Sequence, residues 1–278
     1  MSFNPKIFFL TSEIQPFCDT YFLSTFSKQF GKYIHSKEHD IRLIQPKYGF
    51  ISERKYILRE VIRLKDFSIN FDNKDRLVNI KSAFIPDTRV QVYFLEYNDY
   101  FKDHSKLLYK ARNGRFFKDN AVHFGLIPYT SILSLKLFFW VPDILISNDW
   151  QMALAPTLLK KIFYHDPYYK KIKSVHIIHS INSEEELLSI DLVEGLEIDK
   201  KDLNSGSFKG NLLAIRNSDL NIVINHASDK VMPKIKKNKV LSQALNKSNH
   251  LVIDFPSNPD YDDWSNLNSN IYSIIEKI

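Results

Sequence analysis

Two polar strings, each at the end of an apolar run, carry the side chains best suited to chemistry. Asn148-Asp149-Trp150 ends one run and His179 ends the next. If both runs are parallel strands, their carboxyl ends meet at one edge of the sheet, where open α/β folds bind ligands. A carboxylate and an imidazole that converge there suit hydrogen bonding to a polar ligand or transfer of a proton. The sequence therefore places a candidate site at Asp149 and His179.

Each of these residues also has a purely structural interpretation. Asp149 can cap the helix that follows it, and Trp150 can fill the core. A histidine at a strand end is often a satisfied structural group, and His176 alternates to the other face of the same strand. Both interpretations stay open at this point.

The first strand, turn and helix, residues 6–30, contain a turn of unusual composition. The turn offers Asp19, Tyr21 and Phe22 but no glycine and no basic residue. A phosphate at this place in an open α/β fold needs glycines for close approach of the backbone or a cation for charge. No P-loop, Gly-x-Gly-x-x-Gly or Gly-x-Ser-x-Gly string occurs elsewhere, so NTPase, dinucleotide and nucleophilic-serine functions are excluded.

No metal or other cofactor is predicted. The chain has nine histidines, but no carboxylate cluster with loop geometry accompanies them. The acidic run Glu184–Glu186 follows Ser183, and the pattern Ser-x-x-Glu ahead of Leu187 favours a helix capping box over a ligand site.

Composition and charge narrow the class of protein. The chain has 278 residues, of which 44% are apolar, as is ordinary for a globular protein. We predict no membrane partner and a cytoplasmic location, because no apolar run approaches the ~20 residues of a membrane span and the N-terminus lacks a secretory signal pattern. The net charge is +6, but the lysines are scattered and no nucleic-acid motif accompanies them. Cys18 is the only cysteine, which excludes an intrachain disulfide.

The order of apolar runs predicts an α/β fold. Short β-branched or aromatic runs that indicate buried strands recur at Ile7–Thr11, Ile41–Ile44, Val90–Leu95, Ile144–Ile146, Ser174–His179 and Leu220–Ile224. Helix-period patterns between several of them predict βαβ units and a Rossmann-like, doubly wound, mostly parallel sheet. Residues 57–84 break this rhythm, and we interpret them as an antiparallel excursion at one edge of the sheet.

The C-terminal part of the chain has a different pattern. We predict one sheet domain over residues 1–240, then a loop and a docked C-terminal helix over residues 241–278. The chain becomes polar after Lys239, whereas Trp264, Leu267 and Ile271 repeat at helical spacing.

Several strings taken together resemble the N-terminal domain of bacterial glycogen synthases and plant starch synthases. The resemblance runs in order through residues 6–17, 39–49, 92–96, 100–101, 119–120, 142–156 and 175–179, and more faintly to about Ile235. It implies the first of the two Rossmann-like domains of a glycosyltransferase-B type fold. It also implies the family's reaction, transfer of glucose from ADP-glucose to the non-reducing end of an α-1,4-glucan with retention of configuration.

The chain departs from the family pattern at the first turn. The family has Lys-Thr-Gly-Gly-Leu, whose lysine contacts the nucleotide-sugar, and the matching residues here are Asp19, Thr20, Tyr21, Phe22 and Leu23. An anion in this place would repel a diphosphate. The two aromatic side chains add bulk where glycines would let the backbone approach a ligand.

The resemblance also implies site residues. The family's His-Asp-Trp reads Asn148-Asp149-Trp150 here, and its His-Asn reads His179-Ser180. The catalytic roles fall on Asp149 and His179, in a degenerate site. The substrate-binding residues that the resemblance implies are Glu13, Asp19, Tyr21, Asn148, Trp150 and Ser180.

Three functions are compatible with these observations. The first is a glucan synthase that acts with a separate nucleotide-sugar-binding domain, because retaining transfer needs cations on the departing diphosphate and no Arg or Lys pair is positioned for this. The second is a glucan-binding or regulatory protein without turnover. The third is an interaction module for a protein partner. An α-glucan is the expected ligand, with ADP-glucose as a further candidate, and the isolated chain is expected to be inactive.

Overall fold

The computed structural model describes residues 4–104, 106–181, 187–189, 203–204 and 207–278. Its strands are β1 (Ile7–Leu10), β2 (Ile41–Pro46), β3 (Arg59–Glu60), β4 (Phe67–Phe71), β5 (Lys74–Phe84), β6 (Gln91–Glu96), β7 (Ile144–Asn148), β8 (Lys173–Ile178), β9 (Leu187–Ser189), β10 (Leu203–Asn204), β11 (Ser207–Lys209), β12 (Leu220–His226) and β13 (His250–Phe255). Its α-helices are α1 (Phe22–Ser36), α2 (Glu53–Tyr56), α3 (Asn98–Phe101), α4 (Asn120–Phe138), α5 (Leu154–Lys161), α6 (Gly210–Asn217), α7 (Val231–Lys237), α8 (Lys239–Lys247) and α9 (Tyr261–Ile275).

The described strands form one large sheet and one small one. The large sheet has the order β13-β12-β8-β7-β1-β2-β6-β5-β3, and β4 also pairs with β5. All neighbours from β13 to β6 are parallel, whereas β3, β4 and β6 pair with β5 in the antiparallel sense. The predicted mostly parallel sheet and its antiparallel excursion at one edge are therefore confirmed.

Strand β1 lies at the centre of the sheet because its residues are apolar on both faces. Ile7 pairs with Ile41 of β2 on one side and with Ile144 of β7 on the other. All four residues of β1 are buried, as expected for a strand covered by helices on both faces. On one face Phe9 contacts Phe30 of α1, with ring centroids 5.6 Å apart. This packing fixes helix α1, and the turn before it, over the centre of the sheet.

The prediction of a loop at the start of residues 241–278 is wrong. Residues 239–247 form helix α8, and His250–Phe255 add β13 to the large sheet beside β12. The buried residues of α8 are Leu241, Ala244 and Leu245, a helical spacing hidden among polar residues. Asn238 caps this helix by accepting hydrogen bonds from two of its backbone N–H groups. Strand β13 was missed because it is a partly exposed edge strand with a short apolar run.

The predicted capping box Ser183–Glu186 lies outside the described residues. The residues that would continue its helix, Leu187–Ser189, form β9 instead, in a small antiparallel sheet of order β10-β11-β9. The prediction of a helix that begins before Leu187 is therefore wrong at these residues. Two adjacent leucines fit an antiparallel strand as well as a helix, and pairing with β11 decides between them.

The prediction that no apolar run approaches the length of a membrane span is wrong for helix α4, which is long and apolar enough to cross a membrane by length and composition, with 19 residues and a mean hydropathy of 1.3. More than half of this apolar stretch, 56%, is buried within the protein. The helix packs on β2 and α5. Its apolar residues are thus those expected of a core helix.

The C-terminal helix α9 docks on the sheet domain, as predicted. It begins with a reciprocal capping box between Asp260 and Asp263 and packs on α1 and β13. Its Trp264 stacks on Phe22, the first residue of α1, with ring centroids 5.2 Å apart and an interplanar angle of 11°. The helix thereby covers the aromatic residue of the first turn.

We expect Trp264→Ala to lower the free energy of unfolding by about 2 kcal/mol, because it removes a large, partly buried aromatic contact. Tyr261→Ala in the same helix is the matched control, since Tyr261 is 84% exposed. The control should change stability by less than about 0.5 kcal/mol. Urea denaturation of both variants measures the difference, and equal values would show that α9 is not held through Trp264.

Candidate functional site

The two polar strings of the sequence meet at the carboxyl edge of the sheet. Strands β7 and β8 are parallel neighbours, and Asn148 pairs with Ile177. Asp149, the residue that follows β7, is therefore beside the end of β8. Its side chain accepts a hydrogen bond from the backbone N–H of His179 at 3.1 Å. The predicted proximity of Asp149 and His179 is confirmed.

The Asp149 carboxylate is fully buried and accepts hydrogen bonds on both oxygens. Its Oδ1 accepts from the backbone N–H groups of His179 and Ser180, each at 3.1 Å. Its Oδ2 accepts from the hydroxyls of Tyr21 and Ser180, each at 2.8 Å. The carboxylate therefore holds the end of β8 and the first turn together.

The backbone of Asp149 has a conformation that residues with a side chain rarely adopt, with φ 62° and ψ −175°. This region is populated almost only by glycine and costs roughly 1–3 kcal/mol. The strained peptide is held by a hydrogen bond from the Asp149 N–H to the carbonyl of Ile177 at 2.8 Å. The side chain does not cap the following turn, so the capping interpretation of Asp149 is wrong. Strain of this kind is typical of functional sites.

Burial raises the pKa of two carboxyl groups near this edge. The pKa of Asp149 is raised to about 6, against the effect of its bonds from Ser180 and Tyr21, which lower it. Burial raises the pKa of Glu13 to about 7. Glu13 accepts from the N–H and the hydroxyl of Thr20 and from the hydroxyl of Tyr109, each at 2.6 Å. Glu13 therefore ties the first turn to the loop that carries Tyr109.

The hydrogen bonds of Asn148 define the tautomer of His179. Asn148 donates through Nδ2 to the hydroxyls of Thr11 and Ser27, so its Oδ1 is the acceptor for His179 Nε2 at 2.7 Å. His179 Nε2 therefore carries the ring proton, and Nδ1 carries a lone pair. This Nδ1 is buried and has no hydrogen-bond partner among the described residues. Burial lowers the pKa of His179 to about 3, so the ring is neutral.

Trp150 and His176 have structural contacts. Trp150 is 3% exposed and packs edge-on against Tyr109 and Phe124, with centroid distances of 5.5 and 5.6 Å. The core interpretation of Trp150 therefore holds, although part of the residue borders the cavity described next. His176 points to the other face, as predicted, and both of its ring nitrogens are bonded, to Ser147 and Asn211.

A cavity of about 550 Å³ opens beside Asp149 at the carboxyl edge. The first turn with Tyr21 and Phe22 forms one part of its wall, and the end of β12 with His226 adjoins it, since the ring centroids of Phe22 and His226 are 4.6 Å apart. Two lysines, Lys110 and Lys234, reach the cavity, and Lys234 forms an ion pair with Asp229 at 2.5 Å. The remaining lining residues are Thr20, Leu107, Tyr109, Trp150, His179, Ser180, Ile181 and Ser228.

Four predicted site residues lie outside the cavity wall, and two of these, Asn148 and Asp149, are fully buried behind it. Glu13 is buried behind Thr20 and Tyr109 and acts on the wall through them. Asp19 is exposed and accepts hydrogen bonds from Gln15 Nε2 at 2.8 Å and Ser24 Oγ at 2.5 Å. Asp19 lines a separate depression of about 360 Å³ with Cys18 and Lys55 among others. The structure thus brings Tyr21, Asn148, Asp149, Trp150, His179 and Ser180 together and leaves Asp19 apart.

Several wall residues were missed in the sequence, of which His226 and Tyr109 are examples. His226 ends β12 at the same carboxyl edge, and the edge rule would have found it if the predicted strand had not stopped at Ile224. Tyr109 lies in a loop without periodicity, so no local signal marks it. Among the described residues, no group of three or more His, Cys, Asp or Glu side chains is placed to hold a metal ion.

The fold is that of a known class of transferases. The structure superimposes on the catalytic domain of starch synthase IV from Arabidopsis thaliana with a TM-score of 0.68 over 90% of this chain and 51% of that chain, at 17% identity. At this identity the likeness shows the fold alone. The chain therefore forms an α/β domain of the glycosyltransferase-B type, in which a doubly wound, mostly parallel sheet carries a polar site at its carboxyl edge.

The chain belongs to the family of the starch synthase catalytic domain, whose sequence profile matches residues 6–230. It is 32% identical to the glycogen synthase of Pelodictyon phaeoclathratiforme over 64% of this chain and 36% of that protein. It is 27% identical to the glycogen synthase of Chlorobaculum tepidum over 88% of this chain and 50% of that protein. The chain thus spans half or less of the length of these relatives. It is glycogen/starch synthase-like by family and by fold.

Proposed function

We propose that the described domain binds an α-1,4-glucan in the 550 Å³ cavity and does not transfer glucose on its own. The family supports the choice of ligand, since the two relatives compared above are glycogen synthases. The related starch synthase IV domain was solved bound to ADP and acarbose, which supports a saccharide or a nucleotide in a cavity of this fold.

The lone pair on His179 Nδ1 carries this proposal. A buried nitrogen without a partner costs free energy unless a ligand or water completes it. His179 borders the cavity, and its ring is neutral, so Nδ1 can only accept a hydrogen bond. A sugar hydroxyl is a donor of the required kind and is itself neutral. The histidine therefore favours a ligand that can donate a hydrogen bond, as the hydroxyls of a sugar do.

The aromatic walls suit the same ligand. Tyr21, Phe22 and Tyr109 present apolar ring surface around the cavity, and Ser180 and Ser228 add hydroxyls. Sites of this composition combine apolar area with a few polar groups that fix orientation. The faces of glucose units are apolar and their edges carry hydroxyls, which matches this wall.

The same geometry argues against transfer by the described residues alone. Each oxygen of the Asp149 carboxylate already accepts two hydrogen bonds from protein groups. The first turn offers no cation, Lys234 is paired with Asp229, and Lys110 Nζ lies over the ring of Phe116, 4.2 Å from its centroid. A departing diphosphate needs positioned positive charge. Transfer from ADP-glucose would therefore depend on groups beyond those that line this cavity.

We expect the 278-residue chain to bind maltotetraose in isothermal titration calorimetry and to bind ADP-glucose more weakly. His179→Phe keeps a ring of similar size and removes Nδ1, so maltotetraose should bind at least about tenfold more weakly. His35→Ala is the control, because His35 lies on α1 outside the cavity and should leave binding unchanged. Circular dichroism verifies that both variants fold. Tight ADP-glucose binding without maltotetraose binding would refute the proposal.

A second candidate function is glucosyl transfer from ADP-glucose completed by a separate domain. The retained contact between the strained Asp149 and the His179 backbone favours it, since strain of this kind accompanies functional sites. The test is incorporation of labelled glucose into glycogen with and without cell extract. No incorporation under either condition would exclude this function.

A further inference from the structure

Tyr21 forms a contact that reaches across the site. Its hydroxyl donates to Asp149 Oδ2 at 2.8 Å and accepts from Gln151 Nε2 at 3.1 Å. The residue belongs to the turn before α1, and its ring meets Tyr109 edge-on at a centroid distance of 6.2 Å. The phenol therefore joins two side chains of the segment after β7 without being part of the sheet.

The other donors to Asp149 are attached to the end of β8. The N–H groups of His179 and Ser180 and the Ser180 hydroxyl follow directly from that strand. The Tyr21 hydroxyl is at the end of a long side chain on a turn, and its ring lines the cavity. Rotation of this side chain would leave one acceptor place on Asp149 Oδ2 facing the cavity.

Gln151 provides a second, independent observation. The residue is 2% exposed, yet its Oε1 has no hydrogen-bond partner among the described residues. Its Nε2 is bonded to the same Tyr21 hydroxyl. Displacement of Tyr21 would thus uncover a carboxylate acceptor and an amide that both donates and accepts. A carboxylate beside an amide matches two adjacent hydroxyls of a sugar ring, one of which donates to Asp149 while the other bonds to Gln151.

We propose that Asp149 and Gln151 form a latent sugar subsite, which the Tyr21 hydroxyl fills in this structure. The phenol takes the place of one ligand hydroxyl, so the native cavity receives a glucan at His179 but withholds the Asp149 carboxylate. A ligand that reaches the subsite has to displace Tyr21. This inference rests on the proposed glucan-binding function, which it extends by a second place of contact.

The test uses Tyr21→Ala, which removes both the hydroxyl and the aromatic ring. Methyl α-glucoside is the probe, because a single sugar unit reports on one subsite. We expect the Kd of Tyr21→Ala for this glucoside to be at least about tenfold below that of the wild-type chain, or below the largest Kd that the titration can detect if the wild type shows no binding. The double variant Tyr21→Ala/Gln151→Met keeps the space but removes the amide, and it should lose this gain.

The outcomes separate this inference from the proposed function. Binding of maltotetraose by the wild type with no gain of glucoside binding in Tyr21→Ala would overturn the latent subsite alone. A gain that persists in the double variant would also overturn it, because empty space rather than Gln151 would be the cause. Glucoside binding by Tyr21→Ala together with no maltotetraose binding by the wild type would support the subsite and refute the proposed function. If Tyr21→Ala does not fold, Tyr21→Leu carries the same expectations.

Discussion

The Asp149→Gly variant is expected to be more stable than the Asp149→Ala variant, by about 1–2 kcal/mol in the free energy of unfolding. This order is the reverse of the usual one, since glycine normally lowers stability relative to alanine. The reason is the backbone of Asp149, whose φ of 62° and ψ of −175° suit glycine alone. Both variants should lie about 3 kcal/mol or more below the wild type, because buried donors of Tyr21, His179 and Ser180 lose their acceptor. Urea denaturation of all three proteins measures these differences.

A control pair on α1 gives the ordinary order. Lys32 is an exposed residue inside that helix, where Lys32→Gly should be about 1 kcal/mol less stable than Lys32→Ala. Opposite signs at the two positions would establish that the Asp149 peptide is strained. If alanine is the more stable residue at both positions, the strain does not exist, and the hydrogen bonds alone account for Asp149.

The free energy of unfolding is expected to be about 2 kcal/mol lower at pH 5 than at pH 7. Burial lowers the pKa of His123 and His176 to about 4 and that of His179 to about 3. The unfolded chain protonates these rings below about pH 6.5 while the folded chain does not, so each destabilises the fold as the pH falls. Glu13 and Asp149 act in the opposite sense, because their pKa values are raised to about 7 and about 6 and the folded chain takes up their protons first. The histidines outweigh the two carboxyl groups.

The Glu13→Gln variant separates the contribution of the buried carboxyl group of Glu13 from the contribution of the buried histidines. The raised pKa of Glu13 stabilises the fold fully below about pH 4.5, and this stabilisation is lost as the pH rises through about 7. Without it, the loss between pH 7 and pH 5 should roughly double, to about 4 kcal/mol. Urea titrations at several pH values measure both slopes. Equal slopes in the wild type and in Glu13→Gln would show that Glu13 is ionised in the folded protein throughout this range.

Much of the architecture was predictable from local patterns. The runs that became β1, β2, β6, β7, β8 and β12 are apolar, and helix-period segments between several of them required parallel pairing. The secondary structure of segments with a weaker pattern of apolar residues was not predictable. Strand β13 is short and lies at the edge of the sheet, and α8 hides three buried residues among polar ones. Their identity depends on pairing with β12 and on packing against α6 and α7.

The candidate site also has some features that the sequence predicts and others that it does not. The sequence by itself determined that Asp149 and His179 meet at one sheet edge, because the carboxyl ends of adjacent parallel strands share that edge. It also determined that the first turn has no phosphate chemistry, because this depends only on which residues the turn contains. Only the tertiary structure decided that the Tyr21 hydroxyl reaches Asp149, that Asp149 has a glycine-like backbone, and that His179 Nδ1 has no partner. These features depend on contacts between segments up to 128 residues apart, and side-chain partners at such distances are set by packing, which local periodicity does not encode.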